Sequence, residues 1–214
     1  MADVVRYGSS TAGDVEGGRR MAMTWVLAIA AAALVWGTAW WWGAPTRQTD
    51  RVVAAGLSLA AVVGLGIALG YPGQLAWFVP LIGLLAIVGV VDYRHQIIPN
   101  RLVLATALWA VVLRLHEGHW SSAALVSVAA FAFYLIVNVV TRGGLGMGDV
   151  KFAAVLALAL GYPAGVVSLV LGMWAAGFYA VWLLLKSRGN RAQFMALGPF
   201  LALGGFVGLF DLLH

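Results

Sequence analysis

Two aspartates, Asp92 and Asp149, stand where a carboxylate is costly and can do chemistry. Each lies at the edge of a long apolar run, and each is flanked by residues that shape the backbone, in the segments 92–100 (DYRHQIIPN) and 146–149 (GMGD). An ionisable group at membrane depth is energetically expensive, so it usually marks a functional site. The other acidic residues fall in stretches that we interpret as solvated tail, loops or chain end: Asp3, Asp14, Glu16, Asp50, Glu117 and Asp211.

A pair of carboxylates supports acid–base chemistry because both cannot ionise cheaply at close range. One pKa rises and the two groups share a proton. The ionised member can take a proton from water while the protonated member donates to a carbonyl oxygen. Since such a titration belongs to the pair, the residues alone do not say which aspartate is the base. We expect hydrolysis by an Asp92–Asp149 dyad, without a metal ion or other cofactor.

The composition indicates an integral membrane protein. Hydrophobic residues make up 63% of the 214 residues and charged residues 10%, with a mean hydropathy of +0.94. Soluble domains have about 45–50% apolar and about 25% charged residues. Cysteine is absent, which excludes disulfides and thiolate metal sites. We expect a disordered tail over residues 1–20 and one integral membrane domain over residues 21–214.

Eight apolar runs predict the helices of this domain. A spanning helix needs about 20 residues, and every run fits except the one after Asp149, which Gly161-Tyr162-Pro163 breaks early. That run predicts a short helix, either beginning inside the membrane level or lying at a thin edge of the bundle. The predicted fold is an all-α polytopic membrane helix bundle with seven to eight transmembrane helices. The runs cover about residues 21–43, 52–71, 75–92, 98–115, 121–141, 149–161, 164–185 and 195–213.

The distribution of positive charge predicts the orientation of the bundle. Lys and Arg favour the cytoplasmic side, and alternating spans place most of them on one side, although Arg19 and Arg20 before the first run do not fit this arrangement. Asp92 ends the third run and Asp149 begins the sixth, so both fall on that side. We therefore expect a multi-pass protein of the inner (cytoplasmic) membrane with its site toward the cytoplasm. The charges on that side are Arg47, Arg51, Arg94, Arg101, Arg142, Lys151, Lys186, Arg188 and Arg191.

Glycines and a proline are predicted to shape the backbone around the two aspartates. Gly146 and Gly148 precede Asp149; glycine permits positive φ and close backbone approach, so this loop can present the carboxylate and admit an extended peptide. Pro99 biases Ile98 away from helix, so a helix should begin near Pro99 with Asn100 at its start.

These motifs, taken in order, resemble a known family. Asp92 with Ile98-Pro99-Asn100, followed by Gly146-x-Gly148-Asp149-x-Lys151, is similar to the pattern of type IV prepilin peptidases, which are GxGD-type intramembrane aspartyl proteases. The segment 197–204 (LGPFLALG) resembles the final helix of that family. The resemblance covers about residues 75–214, and its strength lies in the ordered set of motifs rather than in GxGD alone.

The resemblance implies cleavage of the leader peptide of a type IV pilin-like precursor. Asp92 and Asp149 would be the catalytic pair, Gly146 and Gly148 would shape the loop, and Lys151 would be a nearby motif residue. Pro99 and Asn100 would help to form the substrate-binding part of the site. The implied partners are the prepilin or pseudopilin precursor and membrane lipid, with no nucleic acid.

One departure from the family bears on a second activity. Full-length bacterial members carry a cytoplasmic insert with paired Cys-x-x-Cys motifs that is associated with N-methylation of the mature pilin. Here the loop between the first two runs spans only about residues 44–51, and there is no cysteine. The resemblance therefore favours a short form that is a peptidase without methyltransferase activity.

Other interpretations of the same residues stay open. Asp149 could cap its helix, and Asp92 could pair with Arg94 or Arg101 at the interface. A proton-coupled transporter also uses membrane carboxylates, although the two aspartate motifs differ and show no internal repeat of the kind common in transporters. A scaffold with degenerate chemistry is the third possibility. We expect Asn138, inside the fifth run, to form a hydrogen bond between helices.

Overall fold

The computed structural model describes residues 48–69, 74–186 and 196–214, together with isolated positions before residue 48. Within these ranges the chain forms helices and no strands, which confirms the predicted all-α class. Apart from the isolated positions, the expected tail (1–20) and the first apolar run (21–43) lie outside the described residues. The helices are α1 (Gln48–Leu69), α2 (Leu75–His95), α3 (Asn100–Glu117), α4 (Trp120–Val140), α5 (Met147–Leu160), α6 (Ala164–Lys186) and α7 (Gly198–Leu213).

Four of the described helices are long and apolar enough to cross a membrane. These spans are Val52–Leu69 in α1, Leu75–His95, Trp120–Val140 and Ala164–Lys186, and they make the chain a multi-pass membrane protein. Helix α7 is apolar but has only 16 residues, and α5 has 14. The short helix predicted after Asp149 is confirmed.

Helix α2 lies at the centre of the bundle. Of its apolar window 78% is buried inside the protein, against 17–28% for the other three spans. It packs against α1, α3 and α7, while α5 packs against α3, α4, α6 and α7. A helix that is apolar on all sides is expected to be buried, and α2 carries branched aliphatic residues around its full circumference. This central helix places Asp92 inside the bundle.

The turn between α2 and α3 follows from its sequence. Gln96 ends α2 in the left-handed region, with φ 54°, and its N–H donates to the carbonyl oxygen of Asp92. Pro99, with φ −62° and ψ 136°, caps α3, whose first residue is Asn100. The helix start predicted near Pro99 is confirmed, and the motif 98–100 follows Asp92 across one short turn.

Glycines allow α6 and α7 to pack backbone to backbone. A Cβ on Gly172 would lie 2.9 Å from the carbonyl oxygen of Phe200, and one on Gly208 would lie 2.7 Å from that of Ala164. Small residues at helix interfaces are characteristic of membrane proteins because they let backbones approach closely. This contact fixes α7 against α6 and sets the position of its first residue, Gly198.

Candidate active site

The carboxylate of Asp92 is buried and accepts a hydrogen bond from a distant segment. Asp92 is 3% exposed, and its Oδ2 accepts the backbone N–H of Gly198 at 2.7 Å. Gly198 is the first residue of α7, so this N–H is one of the donors that a helix leaves without an intrahelical partner. The N-terminal end of a helix favours negative charge. The contact therefore stabilises an ionised Asp92.

Gly198 was not among the residues predicted from the sequence to form the site, although its segment had been singled out. A Cβ at this position would lie 2.8 Å from both Cβ and Oδ2 of Asp92. No side chain larger than hydrogen fits there without displacement of the carboxylate. Glycine is thus required by the approach of α7 to Asp92.

Asp149 lies in the first turn of α5, outside the four candidate membrane spans. Its Oδ1 is buried and has no hydrogen-bond partner among the described residues. Burial and, second, the negative charge of Asp92 raise the pKa of the Asp149 carboxyl from 3.8 to about 7, against the opposing effect of the Gly146 backbone amide. Asp149 is therefore a carboxyl that holds a proton near neutral pH and has one free oxygen.

The fold brings the two predicted aspartates into one electrostatic environment. Asp92 and Asp149 come from helices that are separated by α3 and α4 in the chain, yet the charge of one acts on the other. The Ile98–Asn100 segment continues from the Asp92 turn into α3. Two carboxyls that act on each other in this way can hold a single proton between them.

Two reasons were predicted for the glycines before Asp149, close backbone approach and positive φ. Close approach applies to both Gly146 and Gly148. A Cβ on Gly146 would lie 2.9 Å from Oδ2 of Asp149, and one on Gly148 would lie 3.0 Å from the carbonyl oxygen of Ile98. The second reason, positive φ, applies elsewhere in the loop: Gly146 has φ −67°, whereas Arg142 and Gly143 have φ 53° and 85°. The loop turns at residues 142–143, ahead of the motif.

Two contacts join the motif at α3 to the motif at α5. Gly148 packs on Ile98, and Nζ of Lys151 donates to Oδ1 of Asn100 at 3.2 Å. Pro99 lies between these two contact points as the cap of α3. The predicted site residues 99, 100, 146, 148, 149 and 151 therefore form one cluster together with Ile98.

Asn138 holds the loop that precedes Asp149. Its side-chain amide donates to the carbonyl oxygen of Leu145, and its own backbone carbonyl accepts the N–H of Gly143 at 2.8 Å. We expected this amide to bond between helices; it bonds instead to the loop between α4 and α5. A side-chain amide can satisfy backbone groups that a tight turn leaves without helix partners.

The sequence interpretation of Asp50 was wrong. We assigned it to a solvated loop, but it lies in the first turn of α1 and is 2% exposed. Its Oδ1 accepts from Nη1 of Arg94 at 2.8 Å, and its Oδ2 lies 3.8 Å from Nε2 of His95. A third acidic residue thus faces the Asp92 end of α2, and it is Asp50 that pairs with Arg94.

Comparison with known proteins identifies the part of the chain that carries these motifs. Residues 79–181 match the model of the type IV leader peptidase family. The chain is 29% identical over 159 residues to a prepilin leader peptidase/N-methyltransferase of Bacillus subtilis (strain 168), an alignment that covers 73% of this chain and 62% of the relative. No solved structure matches the chain at a comparable level.

Two further relatives carry the same name. The protein of Pseudomonas aeruginosa (strain PAO1) is 28% identical over 135 residues, covering 59% of this chain and 46% of the relative. That of Escherichia coli (strain K12) is 27% identical over 128 residues, covering 56% of each. The chain thus spans less than two thirds of the length of these relatives. Residues 79–181 contain both aspartates and the segments around them, and their match to the type IV leader peptidase family agrees with the resemblance predicted from the motifs.

Proposed function

We propose that this protein is a membrane-embedded aspartic endopeptidase that removes the leader peptide of type IV pilin-like precursors. The observation that carries the proposal is the electrostatic coupling of the buried Asp92 carboxyl and the half-buried Asp149 carboxyl, which come from separate motifs and separate helices. The family match includes both residues, and the relatives are named prepilin leader peptidases. The family match favours a peptidase over a proton-coupled transporter.

The proposed reaction uses one proton shared by the two carboxyls. The ionised carboxylate removes a proton from water as the water oxygen attacks the scissile carbonyl carbon. The protonated carboxyl donates its proton to the carbonyl oxygen. In the second step the carboxyl that gained its proton from water gives it to the amide nitrogen, the other carboxylate takes a proton from a hydroxyl of the tetrahedral intermediate, and the C–N bond breaks, which leaves a new carboxyl and a new amino terminus. The pair then again holds one proton, and the net reaction consumes one water molecule per bond cleaved.

Each aspartate brings a different support to this reaction. The N–H of Gly198 stabilises negative charge on Oδ2 of Asp92. The free Oδ1 of Asp149 is an unused acceptor and, when protonated, an unused donor in a buried site. Because a buried polar atom without a partner is costly, this oxygen is suited to a bond with the attacking water or with the substrate carbonyl. We assign the roles of base and acid to the pair rather than to either residue.

The remaining motif residues are proposed to shape the site. Gly146 and Gly148 allow the loop to lie against Asp149 and Ile98. The Lys151–Asn100 hydrogen bond holds the start of α5 beside the start of α3, and Pro99 fixes that start. These contacts keep Asp149 facing Asp92 while a peptide segment enters.

The proposed location is the inner (cytoplasmic) membrane, with the site toward the cytoplasm. Among the described basic residues, Arg94 and Lys186 lie near the C-terminal ends of α2 and α6, and Arg101 and Lys151 lie near the N-terminal ends of α3 and α5. Because successive helices alternate in direction, these ends are on the same side of the bundle as the two aspartates. Lys and Arg in short loops favour the cytoplasmic side. A leader peptide that remains in the cytoplasm would meet the site there.

The proposal includes no N-methyltransferase activity, although the relatives' names contain it. The sequence has no cysteine, and the paired Cys-x-x-Cys motifs with which that activity is associated are thus missing from these 214 residues. A purified sample with a pilin substrate and a methyl donor should yield a cleaved but unmethylated product.

The test is cleavage of a pilin precursor by Asp92→Asn and Asp149→Asn in membranes or detergent. Asparagine keeps the size of the side chain and removes its titratable proton, so both variants should fold and neither should cut. Asp50→Asn is the matched control, because Asp50 is as buried as Asp92 but ion-paired with Arg94. Cleavage by either dyad variant at near the wild-type rate would show that the aspartate in question is structural.

A further inference from the structure

A buried arginine contacts the end of α5 that is farthest from Asp149. Arg114, near the C-terminus of α3, is 4% exposed. Its Nη2 donates to the carbonyl oxygen of Ala159 at 2.9 Å. Ala159 is fully buried, and its carbonyl is one of the last four of α5, which have no partner inside the helix. A cation at this position also favourably meets the negative end of the helix dipole.

Gly161, the residue that caps α5, packs directly against this guanidinium. Gly161 has φ +70°, and a Cβ there would lie 2.9 Å from Nη1 of Arg114. The N–H of Gly161 donates to the carbonyl oxygen of Ala157 at 2.8 Å. Arg114 therefore fits closely against the last turn of α5, with a glycine in the left-handed region leaving it room.

Helix α3 thus holds α5 at both ends. At the N-terminal end Ile98 packs on Gly148, and Asn100 accepts from Lys151. At the C-terminal end Arg114 binds Ala159, ten residues beyond Asp149, which is about 15 Å along the helix. The two helices run parallel, so contacts at both ends fix how far α5 can slide along α3.

We propose that Arg114 is a positioning residue, which sets the depth at which α5 presents Asp149 to Asp92. The inference rests on the proposed peptidase function for its catalytic consequence. Arg114 touches neither aspartate and acts only through α5. Its fork of N–H donors suits a buried carbonyl better than the single ammonium of lysine does, so lysine should restore part of the effect and methionine none.

The first arm of the test is kinetic. Arg114→Met should lower kcat about tenfold or more with a smaller change in KM, since a displacement of about 1 Å can cost about 100-fold in rate. Arg114→Lys should recover part of this loss. Lys186→Met is the control, because it removes a cation at an exposed helix end and should keep the wild-type kcat. If Arg114→Met does not fold, Gly161→Ala, which displaces the guanidinium, replaces it.

The second arm measures the depth of α5 without activity. Because the sequence has no cysteine, Asp149→Cys gives a single thiol whose alkylation rate by a maleimide reports its surroundings. Adding Arg114→Met should raise that rate, whereas the rate at Leu185→Cys, on the exposed end of α6, should not change.

The two arms separate the outcomes. An unchanged alkylation rate at position 149 would overturn the inference even if kcat fell, and an unchanged kcat in a folded Arg114→Met would overturn it even if the rate rose. If the wild type cleaves no pilin precursor, the proposed function fails. The alkylation rates then still decide whether Arg114 sets the depth of α5.

Discussion

The backbone N–H of Gly198 donates a 2.7 Å hydrogen bond to Oδ2 of Asp92 across 106 positions of the sequence. The bond joins the last turn of the central helix α2 to the first turn of α7. It brings the positive end of a helix to a buried carboxylate, which is a general way to bind an anion without a basic side chain. In the proposed mechanism it stabilises the negative charge of the dyad when that charge is on Asp92.

Gly198→Ala should therefore abolish most cleavage. The added methyl would lie 2.8 Å from Cβ and Oδ2 of Asp92, so either the carboxylate or the start of α7 must move, and a displacement of this size can cost about 100-fold in kcat. The measurement is kcat for a pilin precursor in detergent.

Gly177→Ala provides the matched control for Gly198→Ala. A Cβ at Gly177, within α6, meets nothing within 4 Å. Alanine is favoured over glycine inside a helix by about 0.5–1 kcal/mol, so this variant should be active and slightly more heat-stable. Equal activity of the two variants would contradict the importance of the Gly198 approach.

The Lys151–Asn100 contact predicts coupled effects of mutation. If the hydrogen bond between Nζ and Oδ1 holds α5 beside α3, Lys151→Met and Asn100→Leu should each lower kcat/KM, and the double variant should lose little more than either one. A double-mutant cycle should give a coupling energy of about 0.5–3 kcal/mol, as for residues in contact. Strictly additive losses would mean that the two residues act independently.

The sequence predicted the helices well because their signals are local. Apolar runs of spanning length, the Pro99 start of α3 and the Gly161 end of α5 are each contained in a few neighbouring residues. The grouping of Asp92 with Asp149 also followed, since alternating spans place the end of one helix and the start of another on the same side. Residues 98–100 and 146–151 were identified by their motifs.

The missed residues act through contacts between distant segments. Gly198 meets Asp92 through a backbone amide, which has no signature in residue type. Arg114 was not among the predicted site residues, and Asp50 was interpreted as solvated, because a charged residue near the end of an apolar run is ordinarily exposed. Only packing shows that each is buried against a specific partner: Ala159 for Arg114 and Arg94 for Asp50.

Asp50→Asn should lower stability without removing catalysis. The carboxylate is 2% exposed and lies 2.8 Å from the Arg94 guanidinium, which is 41% exposed. Loss of the charge weakens a partly screened ion pair, for which we expect a cost of about 1–3 kcal/mol and a lower Tm. Activity per folded molecule should stay within about twofold of the wild type. A loss of activity as deep as that of Asp92→Asn would place Asp50 in the chemistry.

The activity should fall as pH rises through neutrality. The pKa of Asp149 is about 7, raised by burial and by the charge of Asp92, and the proposed reaction needs one proton on the pair. Above about pH 7 that proton is lost, so kcat/KM should drop about tenfold per pH unit once it has left. A profile that stays flat to pH 9 would contradict chemistry with a shared proton.

Stability should follow the same titration. Between pH 3.8 and about 7 the folded protein holds a proton on Asp149 that the unfolded chain has released. Stability contributed by this group is therefore complete at low pH and is lost as pH rises through 7. Asp149→Asn removes the dependence, so its Tm relative to that of the wild type should rise from pH 5 to about pH 7 and then level off, a change that corresponds to at most about 3 kcal/mol. Asp92→Asn should reduce this change only in part, because burial contributes more than the charge of Asp92 to the raised pKa. A Tm difference independent of pH would mean that Asp149 is ionised across this range in the folded protein.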